Sequence, residues 1–72
     1  MRRATTEKTS KLARLRVAAG LGQKELSEAS GVGIRQIQSF ENGERDIANA
    51  SLKNGVRLAS ALGVHPRELL DD

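Results

Sequence analysis

The chain has 72 residues, with 12 Lys and Arg against 9 Asp and Glu, and a formal net charge of +3. This length provides one small domain, and its basic charge favours an anionic partner. The lack of Cys excludes disulfides, thiol nucleophiles and Cys-based zinc sites, and His65 alone cannot ligate a metal, so we expect neither metal nor cofactor.

The apolar residues are mostly aliphatic. They make up 38% of the chain, and Phe40 is the one aromatic residue. A core built from Leu, Ile, Val and Ala suits a small helical bundle. Since no stretch approaches the roughly 18 apolar residues of a membrane span, we expect a cytoplasmic protein without a membrane partner.

Residues 1–8 are predicted to form a flexible basic tail, and residues 9–72 the folded domain. Extended over roughly 26 Å, the tail could bring Arg2 and Arg3 to a phosphate backbone or a minor groove. The alternative is a disordered end without a specific role.

Apolar spacing predicts the first two helices. Leu12, Leu15 and Ala19 define a helix over residues 11–19, which Gly20 ends. A second helix spans residues 23–30, with Leu26 and Ala29 facing inward.

A tight turn, Gly31-Val32-Gly33, leads into a third helix from Ile34 to about Asn42. At 100° per residue, Ile37 and Phe40 fall on its core face. A polar stripe opposite them holds Ile34, Arg35, Gln38 and Ser39.

The fourth predicted helix begins after Ser51 and ends at Gly63. Its proposed inward stripe, widened by Leu58, is Leu52, Val56, Ala59 and Leu62. A mid-helix glycine costs about 1 kcal/mol, so we expect another backbone to approach Gly55 closely. A fifth helix starts at Pro66, with His65 as its cap.

Two short helices joined by a three-residue turn form a helix-turn-helix, which presents its second helix to the DNA major groove. The segments LRVAAGLGQKELSEASGVGIRQIQSFENGER and LASALGVHPRELL resemble the Cro/cI-type (lambda-repressor-like) DNA-binding family over roughly residues 11–70. The resemblance implies an all-α, compact five-helix lambda-repressor-like domain. It also implies a sequence-specific DNA-binding transcriptional regulator of the repressor type.

The resemblance implies a structural ion pair between Arg16 and Glu41. Glu41 falls on the core side of the third helix, where an unpaired carboxylate would be costly. A guanidinium can bind both of its oxygens.

The resemblance also implies the DNA contacts. Arg35 can bond guanine O6 and N7, and Gln38 or Ser39 can reach a neighbouring base edge. Ile34 packs on a thymine methyl or, equally, on the edge of the core. Phosphate contacts are implied for Gln23, Asn42 and Arg45.

Three departures from the family pattern stand out. Gly22 and Gly33 replace capping residues, Ser27 replaces a small Ala, and the loop from Glu44 to Ser51 is longer than usual. The longer loop makes the assignment of Arg45 less secure than that of Asn42.

The partners expected are double-stranded DNA and a second copy of the chain, which together predict a palindromic operator. The dimer contact would come from the last two helices, with Leu69 and Leu70 as candidates, or would form only on DNA. An antitoxin-like or anti-repressor module that binds another protein is the alternative. An enzyme is rejected, because Glu25 and Glu28 share a helix face with no nucleophile or ligand beside them.

Overall fold

Four α-helices and two turns of 3-10 helix make up residues 10–70, the part of the chain that this computed structural model describes. The helices are α1 (Lys11–Ala18), α2 (Gln23–Ser30), α3 (Ile34–Glu41) and α4 (Leu52–Leu62). The 3-10 turns are Ile47–Asn49 and Pro66–Leu69. The predicted all-α class is confirmed, whereas the predicted tail, residues 1–8, lies outside the described residues.

The helix starts follow from local hydrogen bonds. Ser10 and Ser51 each accept a bond from a backbone N–H three residues ahead, at 3.0 and 3.1 Å, and so cap α1 and α4. Gly22 has no capping side chain, but Glu25 Oε1 accepts a bond from its backbone N–H at 2.5 Å. Gly33 gives α3 no capping side chain. α3 therefore begins without the side-chain bond that Glu25 provides at the start of α2.

The core takes side chains from every helix and from both 3-10 turns. α2 packs against α3 and α4, and the turn Pro66–Leu69 packs against α4 and α1. Asn54 Nδ2 also donates to Gln36 Oε1 at 3.1 Å, which links α4 to α3. The buried apolar residues are Leu12, Leu26, Val32, Ile37, Phe40, Ile47, Leu58, Ala59 and Leu69.

The predicted fifth helix is a single 3-10 turn. His65 Nδ1 accepts a bond from Arg67 N–H at 3.1 Å, as expected of a cap, but the backbone becomes extended again at Leu70. This short turn places Leu69 in the core, where it is 2% exposed. Leu69 is therefore not available for the predicted dimer contact, whereas Leu70 is exposed.

The predicted inward stripe of α4 is wrong at two positions. Leu52 and Val56 are 80% and 44% exposed, while Leu58 is fully buried. The buried face holds Leu58 and Ala59, with Leu62 partly buried against the core. At 100° per residue, the apolar residues of α4 cover a wide arc, and packing buries only one side of it, so apolar spacing alone did not reveal this register.

Two further expectations concern small residues. Ala29 was expected to face inward, but it is exposed and Ser30 is buried instead. The expected close approach of a backbone to Gly55 is also wrong. Apart from its chain neighbours and the nearby backbone of its own helix, no atom of residues 10–70 lies within 4 Å of a Cβ placed on Gly55.

Among residues 10–70, no helix is both long and apolar enough to cross a membrane.

The space around Gly55 is large enough for the methyl group of an alanine. Gly55→Ala should raise the free energy of unfolding by about 1 kcal/mol, because alanine restricts the unfolded chain and fits the helix. Gly63→Ala is the matched control and should lower it by at least about 1 kcal/mol, because Gly63 ends α4 with φ +72°. Urea unfolding followed by far-ultraviolet circular dichroism measures both. Loss of stability in Gly55→Ala would contradict the prediction.

Candidate nucleic-acid interface

The helix-turn-helix consists of α2, the turn Gly31-Val32-Gly33 and α3. Gly31 ends α2 with φ +78°, a left-handed conformation that glycine adopts without a Cβ clash. On α3, Ile37 and Phe40 are buried. The four predicted base-contacting residues lie away from them: Ile34, Arg35 and Gln38 are exposed, and Ser39 is half-buried. The structure thus brings the predicted base contacts onto one surface.

Arg16 of α1 and Glu41 at the end of α3 form the ion pair expected from the sequence. Arg16 Nε lies 2.7 Å from Glu41 Oε2, and Nη2 lies 3.1 Å from Oε1, so the guanidinium binds both oxygens. The two side chains are 16% and 8% exposed. The hydrogen bond to Glu41 raises the pKa of Arg16, although burial opposes the rise. Arg16 therefore stays charged across the pH range in which proteins are handled.

Arg16 makes a third hydrogen bond, to a second residue that the sequence did not indicate. Its Nη1 donates to the carbonyl of Leu21 at 2.8 Å. Leu21 lies in the connection between α1 and α2, so a single side chain joins α1, this connection and the end of α3. The guanidinium fixes the position of the helix-turn-helix relative to α1.

Gln23 connects this ion pair to the DNA-facing surface. Its Nε2 donates to Glu41 Oε1 at 2.9 Å, and its Oε1 accepts a bond from Gln38 Nε2 at 3.2 Å. A residue predicted to bind phosphate and a residue predicted to bind a base are therefore joined directly. Sequence reasoning missed both bonds, because they link positions 15 and 18 residues apart and depend on how α2 crosses α3.

The other two predicted phosphate contacts lie just after α3, and both are exposed. Asn42 Oδ1 accepts a bond from Glu44 N–H at 3.0 Å, which leaves the amide nitrogen, a donor, to meet a phosphate. The Arg45 backbone is tied to α3 by a 3.1 Å bond from its N–H to the carbonyl of Ser39. Ser39 Oγ also donates to Glu44 Oε1 at 3.4 Å, which places a carboxylate beside the predicted contacts.

These side chains supply hydrogen-bond donors and positive charge rather than reactive groups. Guanidinium and amide donors suit phosphate oxygens and the acceptor edges of bases. Within residues 10–70, no three His, Asp or Glu side chains are grouped so as to hold a metal ion. The arrangement is suited to binding a nucleic acid.

Comparison with known proteins decides the family. A family model described as helix-turn-helix, of the Cro/cI type, matches residues 12–69. The chain belongs to the Cro/cI-type helix-turn-helix family. No curated protein sequence gives a significant match. Among solved structures, the chain is similar to the restriction-modification controller protein C.AhdI from Aeromonas hydrophila.

The similarity to C.AhdI covers most of both proteins. The sequences are 42% identical, the alignment covers 83% of this chain and 86% of that one, and the TM-score is 0.73. Both comparisons point to a regulator rather than an enzyme. This Cro/cI-type protein is a DNA-binding transcriptional regulator.

Removing one partner of the ion pair should destabilise the folded protein. Arg16→Met should lower the free energy of unfolding by about 3 kcal/mol, because it leaves the buried Glu41 carboxylate without a compensating positive charge. Adding Glu41→Leu should recover most of that loss, since the uncompensated charge is then removed. Urea unfolding of the single and double variants measures the difference.

The exposed Arg14 of the same helix provides the control. Arg14→Met removes an equal charge and should change stability by less than about 0.5 kcal/mol. If Arg16→Met were as mild as Arg14→Met, the ion pair would not be the main link between α1 and α3.

Proposed function

We propose that this regulator binds double-stranded DNA as a homodimer, with α3 of each copy in the major groove of one half of a palindromic operator. The exposed surface of α3 that gathers Arg35 and Gln38 is the observation that carries the proposal. The similarity to a restriction-modification controller protein supports transcriptional control, including repression, as the biological role. A DNA target also agrees with the cytoplasmic location predicted from the sequence.

In this proposal, the residues on α3 read bases. Arg35 forms the bidentate bond to guanine O6 and N7, because its fork matches that acceptor pair. Gln38 and Ser39 contact a neighbouring base edge, and Ile34 packs on a thymine methyl. The exposure of Ile34 supports this assignment over burial at the edge of the core.

The phosphate contacts flank these base contacts. Gln23 lies at the first position of α2, where backbone N–H groups and the helix dipole favour an anion. Asn42 and Arg45 hold the backbone beyond the end of α3. The bonds of Gln23 to Glu41 and Gln38 would keep phosphate and base contacts in a fixed relation.

The dimer follows from the small size of a single reading surface. One module of this kind covers little DNA, so useful affinity requires two modules about one helical turn, roughly 34 Å, apart. Leu52 and Val56 lie one turn apart on the outer face of α4, and Leu70 is also exposed. Exposed apolar side chains of this kind support a contact between two copies.

Selection of bound duplexes from a random pool tests the base assignments. The wild-type protein should enrich a palindrome, and Arg35→Ala should lose the preference at one symmetric pair of positions, worth about 1–3 kcal/mol. Gln36→Ala is the control on the same helix, because Gln36 bonds Asn54 of α4 rather than lying among the predicted base contacts. An unchanged consensus for Arg35→Ala would refute the assigned orientation of α3.

Salt dependence tests the phosphate assignments. Arg45→Gln should weaken binding to all sequences alike and reduce the slope of log affinity against log salt by about 1 per copy. Arg67→Gln removes an equal exposed charge in the last 3-10 turn, which packs against α4 and α1, and should leave the slope unchanged. Equal effects of the two variants would mean that Arg45 contributes only general charge. Binding that hardly responds to salt would favour the protein-interaction module.

A further inference from the structure

Two serines of α2 hold the middle residue of the turn between α2 and α3. Ser27 Oγ donates to the carbonyl of Val32 at 2.7 Å, and the N–H of Val32 donates to Ser30 Oγ at 3.1 Å. Both backbone groups of Val32 are therefore tied to the preceding helix. The Val32 side chain is buried in the core as well.

The glycines on either side make these bonds consequential. Gly31 and Gly33 flank Val32. Apart from its own neighbours in the chain, no atom of the described residues lies within 4 Å of a Cβ placed on either glycine. Glycine has the greatest backbone freedom of any residue, and Gly33 also gives α3 no capping side chain. Val32 is thus held through both of its backbone groups between two glycines, just before the reading helix.

We propose that Ser27 is a positioning residue for DNA recognition: through Val32 it fixes where α3 begins, and so where Arg35 and Gln38 meet the bases. The inference rests on the proposed DNA-reading role of α3. Specific base contacts need placement to within about 0.5 Å, whereas phosphate contacts tolerate more displacement. Loss of the Ser27 bond should therefore reduce selectivity more than general DNA affinity.

Ser27 is a better test position than Ser30. Ser30 is buried and satisfies a buried N–H, so its removal would be expected to disturb folding. Ser27 is half-buried and α-helical, and alanine keeps its Cβ while removing only the hydroxyl. The bond that Ser27→Ala removes is only part-buried, whereas the bond of Ser30 is buried, so the Ser27 variant should fold.

The experiment compares binding of the full chain to its selected operator and to a scrambled duplex of equal composition, at one salt concentration. Ser27→Ala should weaken operator binding by about 5- to 10-fold and scrambled-duplex binding by less than about 2-fold. Ser51→Ala, which removes the hydroxyl that accepts a bond from the Asn54 N–H at the start of α4, is the control and should leave the ratio unchanged. A ratio unaltered by Ser27→Ala would overturn the proposal.

Hydrogen exchange gives a second readout that needs no DNA. The N–H groups of Gln36 and Ile37 donate to the carbonyl of Gly33 at 3.0 and 3.1 Å, so they report on the start of α3. Ser27→Ala should speed their exchange several-fold while leaving the amides of α4 unchanged. Unchanged protection at the start of α3 would contradict the positioning role. Failure of the wild-type chain to select any DNA, with these exchange effects present, would refute the proposed function and leave Ser27 as a structural clamp.

Discussion

The ion pair between Arg16 and Glu41 is the interaction on which the arrangement of this small domain depends. It connects the first helix to the end of the reading helix, and the same guanidinium holds the carbonyl of Leu21. Within residues 10–70, a core of nine buried apolar side chains, with one aromatic among them, leaves little surplus stability. A bidentate pair specifies orientation, which close aliphatic packing alone specifies less sharply. Orientation is what a DNA-reading helix requires.

The polar surface of α3 continues this internal network rather than standing apart from it. Gln23 contacts Glu41 on one side and Gln38 on the other, so a carboxylate in the interior is two hydrogen bonds away from a predicted base contact. The described part of the chain has one cation, Arg35, among the four predicted base contacts. The net charge of +3 therefore overstates the positive charge of the reading surface. Selectivity depends more on the placement of the hydrogen-bonding side chains than on this charge.

The turn before α3 and the register of α4 shape the two outer surfaces of this domain. Gly31 allows the tight turn through its positive φ, and two serines of α2 hold Val32 by both of its backbone groups. On α4, Leu58 and Ala59 form the buried face, and this register leaves Leu52 and Val56 on the surface. Exposed apolar side chains are costly for a lone copy in water, which is consistent with a second copy covering them.

The sequence by itself determined the local features of this protein. The positions of four helices and the Gly31 stop followed from periodicity and capping chemistry, because these depend on spacing along the chain. The pairing of Arg16 with Glu41, 25 residues apart, was implied by the family resemblance. The tertiary structure decided the register of α4, the short final turn and the bonds of Gln23 and Ser27. These features depend on which surfaces meet when the helices pack, and periodicity within one segment does not contain that information.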